Sequence, residues 1–424
     1  MNIFDPLYGE FTISSLAEKL VLSPEIRRLS QIRLLNSLTP SLATLGELRR
    51  FSHTLGVLHL FSKWKDKNSS GFSHDDIDAL EVAILLHDVA TPPFGHLFEY
   101  ILKEEQGWDH EIASSELFRR HYAPENSGHQ IFAGQTPRIY RTLQKLRLSN
   151  VTIEEILQKR HRFSPLIMGS LDFDNIDNVW RMAWALGLTK SSSSAIELAS
   201  TITVAEDGGL VVPSTSRGLL LEWAGLRKAV YEILVFDAHT VAGQAILTKA
   251  LRVAIKEGVL SAESWTLTDE ELLRELSRHS STKKLITQQY LGELPKSLIT
   301  IQLKWQNTVL FESPHEVIQN AVSSVLKQVI KGELLVYVFK EKGSFSKRIV
   351  LYDEFGAGEE FGDTTRSLIV YIFGSENTCR QAEKRTKEIV SELLSVLQSN
   401  FDDVIKLTGS ALGKETNENY RLFI

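Results

Sequence analysis

Apolar positions three or four residues apart dominate the first 300 residues of the chain. The clearest run is Leu48, Phe51, Leu55, Leu58, Phe61 and Trp64, which predicts one helix from Glu47 to about Lys65. The polar stretch Asp66 to Ser73 predicts a loop. Ser73 or Asp75 then caps a helix with Ile77, Leu80, Ile84 and Leu85 on one face, ending at His87-Asp88. Upstream, residues 1–22 read as a β-like or irregular lead-in. Pro24-Glu25 opens a helix carrying Ile26, Leu29, Ile32 and Arg33, and 36–46 reads as a loop. Residues 97–122 are mostly helical with an interruption near Gly107, and 123–136 are a loop. Further helices fit 137–160, 172–187, 216–257 and 268–278. Thr201 to Val204, a turn at Glu206 to Gly209, and Leu210 to Val212 predict a β-hairpin.

The pattern changes near residue 330. Stretches 333–339, 348–352 and 367–373 are rich in Val, Ile, Leu and Tyr and predict strands, followed by a long charged helix over 377–398. The expected fold is mainly α, with a helical core over 1–300, a β-hairpin insertion, and a small C-terminal α+β lobe over 301–424. Oligomerisation or effector binding is the expectation for that lobe. Lys340, Lys342, Lys347 and Arg348 within it read as a solvated strand edge guarded by cations.

Composition narrows the class. With 43% apolar and 24% charged residues over 424 positions, the chain fits a soluble globular protein of two or three domains, or one large core with additions. A net charge of −6 excludes a strongly basic nucleic-acid coat and leaves room only for a local basic pocket. The single cysteine, Cys379, excludes a disulfide framework and a cysteine-based zinc site, and points to a reducing compartment. The start Met1-Asn2-Ile3-Phe4-Asp5-Pro6 lacks a signal-peptide pattern, and no apolar run approaches the ~20 residues of a membrane span. The expectation is a cytoplasmic protein.

Seven of the 12 histidines fall between residues 53 and 121. His59, His74 and His121 fit surface or hydrogen-bonded positions. His87-Asp88 differs because it ends an apolar helix, where an unpaired carboxylate is costly. Two readings stand: a helix end with a solvated Asp88, or imidazole–carboxylate ligation of a divalent metal. Arg50 and His53 lie three apart on one helix. Asp172, Asp174 and Asp177 open another helix, as an acidic cap or as a source of a further ligand.

These stretches, in order, resemble the HD-domain superfamily of metal-dependent phosphohydrolases, and within it the deoxynucleoside triphosphate triphosphohydrolases. The likeness runs from about Arg28 to Leu276. It rests on Arg28-Leu29 with Ile32, Arg50-Phe51 with His53 and Leu55-Gly56-Val57, Leu86-His87-Asp88 with Phe94 and His96, His110-Glu111, and Asp172 with Asp174 and Asp177. The hairpin and Thr268 to Leu273 also fit. The resemblance implies an HD-domain helical core and one divalent ion (Mn, Fe, Zn or Mg) held by His53, His87, Asp88 and Asp174. It implies Arg50 on the triphosphate, His96 and His110 near the α-phosphate, and Glu99 as partner of His96. The implied reaction yields a deoxynucleoside and tripolyphosphate. Nucleotide effectors, homo-oligomers and, in bacterial relatives, phage defence by nucleotide depletion belong to the same family.

The sequence departs from the family around the sugar. Thr91 stands where relatives commonly carry a histidine, Asn178 where a tyrosine is usual, and Met182 where an aspartate meets the 3′-hydroxyl. Asp237 aligns with a family tyrosine and is a candidate replacement acceptor; His239 keeps a family-like place. Thr91, Asn178 and Asp237 are therefore the candidate substrate-binding positions beside Arg50. Groups that bond a substrate hydroxyl are where discrimination is won. The same metal centre also suits a phosphodiesterase or nuclease acting on cyclic, oligomeric or single-stranded nucleotides. A non-enzymatic nucleotide sensor is the third class, and the complete ligand set speaks against it.

Overall fold

The computed structural model describes residues 1–36, 38, 40–118, 137–205, 208–305, 312–341, 347–353, 356–362, 367–375, 378, 384–401, 405–407 and 421–423. The 123–136 loop, His121, Lys342, Cys379 and the Glu206-Asp207 turn lie outside the described residues. The chain groups into two units, each discontinuous in sequence. The first comprises Met1–Val230, Thr248–Ile286 and Arg348–Gly362; the second comprises Tyr231–Leu247, Thr287–Lys347 and Asp363–Ile424.

The first unit opens with an antiparallel hairpin, β1 (Asn2–Asp5) and β2 (Gly9–Thr12), in the register Asn2↔Thr12. Helices α1 (Ser15–Val21), α2 (Pro24–Arg27) and α3 (Ala43–Gly46) lead to α4 (Arg50–Asn68) and α5 (His74–Leu86). The helix expected from Pro24 ends at Arg27, continues as one 3-10 turn, and is extended by Ile32, whose carbonyl accepts from the Arg50 amide. Helix α5 starts where Ser73 accepts from the amide of Asp76, with Asp75 and Asp76 in its first turn. Its residues from Ala79 to Leu86 are all buried, as in a helix enclosed on every side.

Then come α6 (His96–Gln106), α7 (His110–Glu116), α8 (Arg138–Leu146), α9 (Asn150–Leu157), α10 (Pro165–Met168), α11 (Phe173–Ala185) and α12 (Ser193–Thr201). Gly107, in the left-handed region at φ 65°, ends α6 at the expected interruption. Helix α4 packs against α5, α11 and α12. Phe61, Trp64, Phe163, Phe173 and Trp180 are fully buried in this unit, and the Trp64 indole donates to the Ile202 carbonyl at 2.8 Å. Burying a Leu, Ile or Phe contributes about 1.5–3 kcal/mol, so this core holds the three helices that carry the site.

The predicted hairpin is β3 (Thr203–Val204) with β4 (Leu210–Pro213). Its Thr201 closes α12 instead. Helices α13 (Arg217–Phe236), α14 (Ala238–Lys256), α15 (Asp269–Arg278) and α16 (Ser280–Tyr290) follow. Strand β5 (Lys296–Trp305) and helix α17 (His315–Val329) precede β6 (Leu334–Glu341), β7 (Ile349–Tyr352), β8 (Gly358–Phe361), β9 (Ser367–Gly374), α18 (Thr386–Phe401), β10 (Ile405–Leu407) and β11 (Arg421–Phe423). Strands β7 and β8 join the first unit: β4 pairs parallel with β7, giving the order β3-β4-β7-β8.

In the second unit the order is β10-β5-β9-β6, with β11 also on β5. Every residue of β9 is buried. Leu368, Val370 and Ile372 meet α17 and α18, while Ile369, Tyr371 and Phe373 meet Val235, Val241, Ala242 and Ala245. This two-sided burial explains a near-continuous apolar strand. Lys340, read as part of a solvated edge, is buried and donates its ammonium to the Ser313 carbonyl. Among the described residues, no helix is long and apolar enough to cross a membrane.

Candidate metal centre

Three helix ends converge. Helix α4 carries His53 in its first turn, α5 ends at His87-Asp88, and α11 carries Asp174 in its first turn. One ligand atom each from His53, His87 and Asp88 lie within 4.8 Å of one another, so these three can hold a metal ion. Asp174 Oδ1 lies 2.8 Å from His53 Nε2 and 3.8 Å from His87 Nε2.

The donor chemistry fits a divalent cation. His87 Nδ1–H donates to the Ile84 carbonyl at 2.6 Å, which in the neutral ring leaves the lone pair on Nε2. That Nε2 is buried without a hydrogen-bond partner, 3.7 Å from Asp88 Oδ2. A buried acceptor aimed at two carboxylates is an uncompensated arrangement that a cation completes.

Electrostatics agree. Burial opposes ionisation of Asp88, but Arg50, His87 and His53 hold its carboxyl well below the usual range. Asp174 is lowered too: burial raises it, and the hydrogen bond and charge of His53 outweigh that. Burial disfavours a charged His53, yet hydrogen bonds to Asp174 and Asp177 raise it to about 10. A proton and a divalent ion satisfy the same carboxylates, so they compete for His53 Nε2.

Arg50 is buried, and its Nη1 donates to both oxygens of Asp88 at 3.1 and 2.9 Å. The loop from Asp88 to His96 is shaped around it. Gly95 has φ +53°, and a Cβ there would stand 2.6 Å from Arg50 Nη2. Phe94, fully buried, has φ 56°, a strained conformation for an aromatic residue. Asp269 holds the loop, accepting from the amides of Phe94 at 2.9 Å and Arg33 at 2.8 Å. The buried Arg28 guanidinium donates to the carbonyls of Thr91 at 3.1 Å and Leu267 at 2.7 Å. The Thr91 hydroxyl donates to Asp88 Oδ1 at 2.9 Å.

Glu99 bridges the two other candidate histidines. One oxygen accepts from His96 Nδ1 and the other from His110 Nδ1, each at 2.8 Å. Burial opposes its charge, but these bonds hold its carboxyl well below the ordinary range. The His96 ring is 63% exposed and so open to a ligand.

Asn178 is half-buried with its Oδ1 unpartnered, and Met182 is buried. Asp237 belongs to the second unit, where it accepts from the Thr240 amide at 2.8 Å and from its hydroxyl, and so starts α14. The Glu111 side chain lies outside the described residues.

Sequence reasoning missed a group behind His53. Its Nδ1–H donates to Asp177 at 2.7 Å; Asp177 is paired with Arg181, and Arg181 with Asp5. The third aspartate of the acidic motif and an arginine four residues on were the available signals.

A family model for the HD domain matches residues 50–160. The deoxynucleoside triphosphate triphosphohydrolase SAMHD1 of Gallus gallus is 33% identical over 128 residues, 28% of this chain and 21% of that protein. An uncharacterized protein of Methanocaldococcus jannaschii is 22% identical over 306 residues, 68% of this chain and 60% of its own length. The chain thus spans less than two thirds of both relatives. In fold, a phosphohydrolase crystal structure from Bacteroides thetaiotaomicron superimposes with a TM-score of 0.63 at 16% identity, covering 88% of this chain and 99% of that one.

Proposed function

From its membership of the HD-domain superfamily, to which this chain belongs, we propose that it is a metal-dependent phosphohydrolase acting on deoxynucleoside triphosphates. The observation that carries this reading is the Arg50–Asp88 contact: a buried guanidinium stands 2.9 Å from a carboxylate of the His53–His87–Asp88 cluster. A planar, permanently charged group beside a metal-ligand set is suited to bidentate phosphate binding.

Asp174 completes the ligand set in this proposal. A divalent ion bound there supplies a Lewis acid for a phosphoryl oxygen and lowers the pKa of water. Arg50 binds the triphosphate and offsets charge that develops on it. Water attacks the α-phosphorus and gives its proton to solvent, the bond to the 5′-oxygen breaks, and His96 in its imidazolium form passes its Nε2 proton to the departing oxygen. Glu99 fixes Nδ1 of His96 as the donor to itself, so Nε2 is the nitrogen presented to substrate, and His110 shares the same anchor. The products are a deoxynucleoside and tripolyphosphate. Thr91 and Asn178, which lie in the same unit as the cluster, remain the candidate determinants of the sugar. Homo-oligomerisation and a nucleotide effector belong to the same reading.

The test is hydrolysis of each ribo- and deoxynucleoside triphosphate, singly and in pairs, with Mn or Mg, followed by chromatography. Tripolyphosphate is the expected product. Its absence, with pyrophosphate or a nucleoside monophosphate in its place, overturns the reading. A second reading, a phosphodiesterase or nuclease, draws on the buried, apolar Met182 at the position of the family's 3′-hydroxyl acceptor.

A further inference from the structure

The metal-centre reading rests on His53, and His53 is held from behind. Its ring is almost completely buried, and both nitrogens are engaged. Nε2 points to the ligand cluster, and Nδ1–H donates to Asp177 at 2.7 Å. Asp177 is fully buried, where a carboxylate needs a compensating cation. Arg181, one helical turn further along α11, supplies it through Nε at 2.9 Å and Nη2 at 3.0 Å. The remaining terminal nitrogen of Arg181, Nη1, donates at 2.9 Å to Asp5, at the end of β1. Asp5 is itself fixed by the amides of Leu7 at 2.9 Å and Tyr8 at 3.1 Å. The chain of contacts therefore joins the N-terminal hairpin to an imidazole of the metal centre.

Space supports the same assignment. On α4, Gly56 leaves room for the pair: a Cβ there would stand 2.0 Å from Asp177 Oδ1 and 2.3 Å from Arg181 Nη2. A residue with any side chain would push the carboxylate off His53.

We infer that Asp177, backed by Arg181 and Asp5, is a positioning residue that sets the metal affinity of His53. A carboxylate on the far nitrogen of a ligating imidazole fixes the tautomer and ring orientation and raises its basicity. Asp177 makes no contact with substrate in this scheme; it acts through His53.

The test is Mn(II) binding to the full chain by calorimetry, with no nucleotide present. Asp177→Asn is expected to weaken binding about 10- to 100-fold, and Asp5→Asn to weaken it by less. His-selective 15N NMR of the Zn(II)-loaded chain gives a readout that a purely structural role would not move. There the downfield Nδ1–H signal of His53 shifts upfield in Asp177→Asn. If Asp177→Asn does not fold, Asp5→Asn carries both measurements, because it leaves the Asp177–Arg181 pair in place. Wild-type affinity and an unshifted His53 signal in a folded variant, with binding abolished in His53→Ala, overturn the positioning role alone. Wild-type affinity in His53→Ala overturns the metal centre and this inference with it.

Discussion

His87 donates its Nδ1–H to the carbonyl of Ile84, three residues earlier in the same helix, at 2.6 Å. The backbone of α5 thereby selects the ring nitrogen that faces Asp88 and Asp174. His87→Ala removes that nitrogen without touching the helix ladder. The expected result is loss of Mn(II) binding by calorimetry and a fall in hydrolysis of more than roughly 100-fold. Thermal unfolding of the metal-free chain should move little.

Thr91 tests how tightly Asp88 must be held. Among the described residues, its hydroxyl and Arg50 are the groups that hydrogen-bond that carboxylate. Thr91→Val keeps the shape and removes the donor, which costs about 1 kcal/mol of stability. Urea unfolding should show that loss, and kcat/KM should drop several-fold. Thr91→Ser, which restores the hydroxyl, should recover most of both.

Gly95 makes room for Arg50. Gly95→Ala puts a side chain on a left-handed backbone and a Cβ 2.6 Å from Arg50 Nη2. The conformational cost is about 1 kcal/mol. Displacement of the guanidinium should raise KM for a nucleoside triphosphate more than it lowers kcat. Steady-state kinetics separate the two, and an unchanged KM would remove Arg50 from substrate binding.

His59 predicts a pH dependence. It sits against Tyr8 and Phe11, with ring centroids 4.9 and 4.4 Å away. Burial, aided by Lys63, pushes it down from 6.5 to about 4. The unfolded chain therefore binds this proton first as pH falls. The contribution to stability is complete above pH 6.5 and declines from there towards pH 4. Glu25, Glu81 and Asp269, raised by burial, act in the opposite direction at low pH. The quantity to measure is thus the urea midpoint of wild type minus that of His59→Phe, which should shift in favour of the variant as the pH falls from 6.5 towards 4.

The parts of the fold legible in the sequence are those written in local chemistry. Ser73 and the apolar run behind it mark α5, Gly107 marks the end of α6, and the His87-Asp88 junction marks the cluster. The groups that position the cluster were hidden because their partners are remote. Arg181 meets Asp5 across 176 positions, and Arg28 meets Leu267 across 239. No periodicity reports such pairs. Strand β5 and helix α17 were also missed: β5 pairs with β9, β10 and β11, and α17 packs on the sheet they form, so the partners of both come from segments far along the chain.

The parallel pairing of β4 with β7 has a consequence for biosynthesis. The hairpin ending at Pro213 leaves the ribosome long before Ile349 to Phe361 exist to cover it. Until then the nascent chain carries β4 as an open edge, a template for pairing with another molecule. A ribosome stalled before Ile349 would leave that edge bare, so translation speed through this stretch governs how long the newborn protein is at risk of aggregation.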